Sequence, residues 1–208
     1  MERTLRLATI VDETEAEGPG RRWAIWLQGC SIRCPGCCNP EMFDARGGTA
    51  FTVAALVARS AAANVEGITI LGGEPFEQAA AAADLAEAVR ARGQTVMVFS
   101  GMELGGLRAA ADPEVARFLG AIDLLVDAPF DRDRPEPAPP RGRRWIGSTN
   151  QTMHFLSAAY AEGDPRLRAA NGIEIHVSAT TGAVTINGWP SADQLVPVAG
   201  RAWVRRTR

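Results

Sequence analysis

Cys30-Ser31-Ile32-Arg33-Cys34-Pro35-Gly36-Cys37-Cys38 contains all four cysteines of this 208-residue chain. It follows directly on the apolar run Trp23 to Leu27. Cys30, Cys34 and Cys37 stand at C-x3-C-x2-C spacing, close enough on one loop to converge on a soft metal centre as thiolates. Three thiolates are one short of the set that closes a four-iron cluster, so one iron would keep an open position. A structural zinc site would instead show a second cysteine pair or nearby histidines. No second pair exists, and the two histidines, His154 and His176, are distant in sequence.

Working outward, Gly67 to Leu71 is too short for a helix and reads as a buried parallel strand, closed by Gly72-Gly73-Glu74-Pro75. Upstream, Thr4 to Val11 is expected as an edge strand and Arg22 to Gln28 as the first buried strand. Downstream, Thr95 to Phe99 and Asp123 to Val126 are further strands. Helices are expected from the cap Thr52 to near Asn64, over Glu77 to Arg92 with Gly93 as stop, and over Asp112 to Leu119. Three of the strands recur about every 28 residues, the period of a βαβ unit. This predicts a single α/β domain over 1–208, with a core of about 22–188. Its sheet would be mostly parallel, open or curled into a partial (β/α)6-type barrel. In such a sheet Cys30, Gly72, Ser100 and Asp127 all fall just past strand ends and share one rim. Gly172 to Val177 and Ala183 to Asn187 read as a strand pair turning at Thr181-Gly182. The Pro- and Arg-rich segment 131–144 reads as a flexible surface loop, or as a lid beside that rim. The basic tail 200–208, with Arg201, Arg205, Arg206 and Arg208, reads as a solvated end or a docking patch for an acidic electron donor.

Composition bounds the function. There is no apolar run long enough to span a membrane and no apolar signal core after Met1, so a cytoplasmic protein is expected. Clustered thiols fit a reducing compartment. A formal net charge of -2 gives no footprint for nucleic acid. Every basic residue is arginine, so no lysine is available as a Schiff base.

The cysteine loop and Gly72 to Pro75 together resemble the radical SAM superfamily. The resemblance implies one 4Fe-4S cluster on Cys30, Cys34 and Cys37. It also implies S-adenosylmethionine bound at the open iron, with its amino group at Gly72, Gly73, Glu74 and Pro75. Glu74 is a suitable amine acceptor, being an acid set beside two glycines at a strand end. Further segments are similar to the anaerobic ribonucleotide reductase activating enzymes. These are Cys34-Pro35-Gly36-Cys37-Cys38-Asn39, Asp123 to Phe130 (D-L-L-V-D-A-P-F) and Gly147 to Gln151 (G-S-T-N-Q). The likeness runs from about Arg22 to Gln151. Departures are Gly36, where many such loops carry an aromatic, Ala128, where glycine is common, and the extra Cys38, read as a spectator or else as a substitute ligand or reactive thiol.

The resemblance implies reductive cleavage of the cofactor to a 5′-deoxyadenosyl radical and removal of hydrogen from a glycine of a partner protein. An external one-electron donor such as flavodoxin or ferredoxin would supply the electron. Ser100, Asp127 and Asn150 are further candidates for cofactor contact, with strand-end capping and loop hydrogen bonding as the plain alternatives. Gln151 and His176 are weaker candidates. Trp23 and Trp26 are expected to desolvate the cluster. Two other functions stay open on sequence alone. One is a small-molecule enzyme of the 7-carboxy-7-deazaguanine synthase type, for which Glu17-Gly18-Pro19 is the matching segment. The other is a non-enzymatic iron–sulfur or zinc protein used for binding or sensing.

Overall fold

All six residues of Arg22–Leu27 (β2) are buried, and the computed structural model shows why. It describes residues 2–177 and 184–188, and β2 lies inside a seven-stranded sheet covered on both faces. Strands covered on both sides read as unbroken apolar runs rather than alternating ones. The chain forms β1 (Thr4–Thr14), β2, β3 (Thr49–Thr52), α1 (Val53–Ala62), β4 (Gly67–Gly72), α2 (Ala79–Arg90) and β5 (Thr95–Phe99). It continues through α3 (Leu104–Ala109), α4 (Pro113–Gly120), β6 (Leu124–Asp127), β7 (Thr152–Phe155), β8 (Ile173–Val177) and β9 (Val184–Gly188).

The sheet order is β3-β1-β2-β4-β5-β6-β7. β2, β4, β5 and β6 are parallel neighbours, with Arg22 opposite Gly67 and Gly67 opposite Thr95. β1 and β3 on one flank and β7 on the other run antiparallel. The architecture is thus a mixed α/β domain whose large sheet is parallel at its centre and does not close. The expected six-fold β/α repeat is reduced to four parallel strands, because the outer positions go to antiparallel strands.

One face carries Trp23, Ile25, Ile68, Ile70, Val96, Val98 and Leu125, packed under Leu56, Leu85, Val89 and Phe118 of the helices. The alanines of α2, among them Ala82, Ala83 and Ala86 at 0% exposure, let that helix sit close to the strands. The other face carries Ala24, Trp26 and Leu71 with Val11 and Met42. Beside them, Met97, Leu124 and Val126 pack against Trp145, Ile146 and Tyr160. Trp23 and Trp26 therefore lie on opposite faces, as a three-residue separation on a strand requires. Only Trp26 sits on the side of Met42 from the cysteine loop, so the expectation that both tryptophans shield a cluster is corrected to one.

The helix expected over Glu77 to Arg92 is shorter. Pro75–Gln78 form a 3-10 turn, and α2 then runs from Ala79 to Arg90. Gly93, at φ +77, ends the segment as expected. Thr52 and Asp112 cap α1 and α4 by accepting from Ala55 N (3.2 Å) and Glu114 N (2.8 Å). β8 and β9 pair as a separate antiparallel ribbon. The Thr181-Gly182 turn and the 200–208 tail lie outside the described residues. No helix among the described residues is long and apolar enough to cross a membrane.

Candidate active site

Because β2, β4, β5 and β6 are parallel, their carboxyl ends open on one edge, and the cysteine loop leaves β2 there. Its stem is stitched by backbone and glutamine. Gly29 N donates to Met42 O (2.8 Å), and the Gln28 amide donates to Glu41 O (3.1 Å) and Asp44 O (2.8 Å). Gln78 ties the base of the stem to β1, accepting from Arg6 N (2.8 Å) and donating to Gln28 O (3.1 Å).

The end of β4 is bonded directly to the same loop. Gly73 N donates to Leu27 O and Glu74 N to Gly29 O, both at 2.8 Å. The approach requires two glycines. Gly72 sits at φ +100, and a Cβ there would meet Leu27 N at 2.7 Å and Trp26 Cα at 2.8 Å; a Cβ on Gly73 would strike Gly29 O. The two motifs are therefore one hydrogen-bonded unit.

Cys30, Cys34 and Cys37 are half-buried and Cys38 is exposed. Burial pushes the Cys30 and Cys34 thiols up. Cys37 goes the other way, to about 6, because the Cys38 thiol donates a hydrogen bond to its sulfur, which in turn holds Cys38 high. Cys34 feels the charge of both Cys30 and Cys37, so the three thiols share one neighbourhood. No three His, Cys, Asp or Glu side chains among the described residues gather tightly enough to chelate a single ion. Three cysteines on one loop suit a 4Fe-4S cluster and leave one iron without a thiolate.

Glu74 is 1% exposed, and its carboxylate is already engaged. It accepts from Phe76 N (3.0 Å), Ser100 Oγ (2.9 Å) and Gly101 N (2.9 Å). Burial raises its pKa against these bonds. Ser100 thus meets Glu74, and it also accepts from Met102 N (2.9 Å). Asp127 Oδ2 accepts from Leu104 N (2.7 Å), acting as the cap of α3. His154 Nε2 stands 2.9 Å from that same oxygen but out of line for a hydrogen bond. Asn150 donates to Pro129 O (2.8 Å), while its Oδ1 is buried without a partner. Gln151 donates to Ala128 O (3.0 Å) and accepts from Gly147 N and Ser148 N. His176 lies in β8.

Three groups at this edge were not read from the sequence. Glu77 accepts from Ser31 N (2.7 Å) inside the cysteine loop. His154 arrives on β7, a strand of only four residues, too short to announce itself. Gln28 braces the loop; its one signal is its position, a polar residue ending an apolar run.

A cysteine loop fused to a glycine-glycine-acid strand end, on an open α/β sheet, is the arrangement of an iron–sulfur enzyme. The chain belongs to the 4Fe-4S single cluster domain family, whose model matches residues 16–154. It is 30% identical over 148 residues to the anaerobic ribonucleoside-triphosphate reductase-activating protein of Escherichia coli strain K12, covering 67% of this chain and 91% of that one. The protein of the same name from Enterobacteria phage T4 is 26% identical over 143 residues, 65% of this chain and 85% of that one. Pyruvate formate-lyase 1-activating enzyme of Escherichia coli strain K12 is 29% identical over 116 residues, 53% of this chain and 46% of that enzyme. These relatives are activases of the radical SAM group that the motifs resemble, and the chain is an enzyme of that group.

Proposed function

We propose that this enzyme cleaves S-adenosylmethionine reductively and uses the resulting 5′-deoxyadenosyl radical to take a hydrogen atom from a glycine of a partner protein. A single observation carries the reading. Gly73 N and Glu74 N are hydrogen-bonded to the stem of the cysteine loop, so a ligand held at Gly72 to Pro75 lies beside whatever Cys30, Cys34 and Cys37 hold. When bound, a 4Fe-4S cluster supplies one low-potential electron and an open iron position.

The chain's own residues do the rest. The three cysteines fix the cluster, and Gly72, Gly73, Glu74 and Pro75 orient the amino group of the cofactor. Ser100 acts through Glu74 by fixing its carboxylate. Asp127 positions α3 at the rim, and the unpartnered Asn150 Oδ1 is free to accept from the nucleoside side. Trp26 and Met42 exclude water beneath the loop. The open sheet edge leaves access for a polypeptide segment, and the activating relatives support a glycyl-radical enzyme as that partner. The electron would come from an external donor such as flavodoxin or ferredoxin in a reducing cytoplasm.

The test is anaerobic reconstitution of the full chain, followed by dithionite and S-adenosylmethionine. The expected outcome is 5′-deoxyadenosine, with a reduced-cluster paramagnetic resonance spectrum that changes when the cofactor is added. Cys34→Ala should abolish both. A cluster that forms and accepts an electron yet neither binds nor cleaves the cofactor would overturn the reading.

A further inference from the structure

Three consecutive residues at the entry to the cysteine loop meet four consecutive carbonyls at its exit. Gly29 N donates to Met42 O (2.8 Å) and Cys30 N to Phe43 O (3.3 Å). The side-chain amide of Gln28 reaches round this pair. It donates to the carbonyls on either side, Glu41 O (3.1 Å) and Asp44 O (2.8 Å). A glutamine amide has two N–H donors, so one side chain serves both oxygens.

Gln28 is 6% exposed and is itself held from two directions. Its backbone N donates to Arg6 O (2.9 Å). Its backbone O accepts from Gln78 (3.1 Å), which lies in the 3-10 turn that follows Glu74. Gly47 and Gly48 leave room for the side chain. A Cβ on Gly47 would meet Gln28 Nε2 at 2.8 Å, and one on Gly48 would meet Gln28 Cβ at 3.0 Å. The arch in between, from Ser31 to Pro40, has few bonds of its own. Cys37 N donates to Cys34 O (3.1 Å), and Ser31 N donates to Glu77 (2.7 Å). Cys34 and Cys37 therefore ride on a span whose ends are set at the base.

We infer that Gln28 is a positioning residue for the cluster: its amide closes the base of the cysteine loop before any iron is bound, so that the loop meets a cluster ready-shaped and holds it longer. With the base closed, the loop has lost part of its freedom in advance. Less is lost when a cluster binds, and a cysteine that lets go stays close enough to rebind. The inference rests on the cluster part of the proposed function and needs neither cofactor cleavage nor a partner.

The test is the rate at which the anaerobically reconstituted full chain loses iron to EDTA, followed by the fading of cluster absorbance. Iron and sulfide content and urea unfolding are measured alongside. Gln28→Met keeps the length of the side chain and removes both donors. It should lose iron about tenfold faster than wild type, the lower end of what removing a residue that orients metal ligands costs. Gly47→Ala leaves Gln28 in place but pushes its amide aside, and should act in the same direction. Leu85→Ala opens a cavity in the core under α2 and lowers stability without touching the loop base. It should lose iron at close to the wild-type rate. Gln28→Met that releases iron no faster than wild type overturns the inference. So does Leu85→Ala that releases iron as fast as Gln28→Met, because general stability would then explain the effect. If Gln28→Met takes up no iron, Gly47→Ala decides alone: faster release supports the inference and the wild-type rate overturns it. Wild-type protein that assembles no cluster fails the proposed function itself, and this inference with it.

Discussion

The two ends of the central strands treat buried charge in opposite ways. At the amino end, Arg22 is fully buried and its guanidinium is richly partnered. Its guanidinium donates to Thr69 Oγ1 (3.1 Å), Thr95 Oγ1 (2.6 Å), Tyr160 OH (3.0 Å) and Ile68 O. At the carboxyl end, Glu74 is as deeply buried, but its surroundings are left incomplete. Asn150 Oδ1 is buried there without a hydrogen-bond partner. A saturated buried charge acts as a staple, whereas an end with polar capacity in reserve is suited to receiving a ligand.

The sharpest way to break this comparison is Arg22→Ala. It leaves a cavity and several orphaned oxygens, and should cost about 4 kcal/mol in urea unfolding. Arg22→Met should recover most of that loss, because burial already disfavours the charge. If Arg22→Ala changed cofactor binding but not stability, the assignment of the two ends would be reversed.

Glu17 sharpens the comparison from between the ends. It is buried, accepts from Gly188 N (2.7 Å), and is pushed up to about 7 by burial. The folded chain therefore keeps this proton between about pH 4.5 and 7 while the unfolded chain has released it. Stability should fall as pH rises through that window, by about 3 kcal/mol in all. Glu17→Gln, followed by unfolding at pH 5 and pH 8, should remove most of that slope and stabilise the protein at the higher pH.

Glu74→Gln, read by equilibrium binding to the reconstituted enzyme, should weaken S-adenosylmethionine by roughly 1.5–3 kcal/mol, the range for a hydrogen bond to a charged group. Part of the loss would arise because an amide replaces an acceptor shared by Phe76 N, Ser100 and Gly101 N. An unchanged affinity would leave Glu74 a staple like Arg22. The smallest effect is Ala128→Gly, which relieves a left-handed backbone against a more flexible unfolded chain. A gain of up to about 1 kcal/mol in thermal unfolding is expected.

The central strands were legible because burial on both faces leaves nothing but apolar side chains, as in Arg22–Leu27 beyond its first residue. The two outermost strands, β3 and β7, were not. Thr49–Thr52 and Thr152–Phe155 are four residues each and only partly buried, too short for a pattern to stand out. α3 was missed for a different reason. Leu104-Gly105-Gly106-Leu107 has poor helix propensity, and the helix is held by the distant carboxylate of Asp127, which caps Leu104 N. At the site, the cysteines and Gly72 to Pro75 announced themselves by spacing. The pinning of Glu74 by Ser100 and Gly101 is tertiary and leaves no local mark.

The bonds from Gly73 and Glu74 to the stem of the cysteine loop have a consequence for how such enzymes can change. The cysteine loop and the β4 terminus form a single inheritable part, since a side chain on Gly73 would collide with Gly29 O. Neither half can drift or be transplanted alone. A graft of Cys30–Cys38 onto another parallel sheet would need the neighbouring strand to end in the same two glycines.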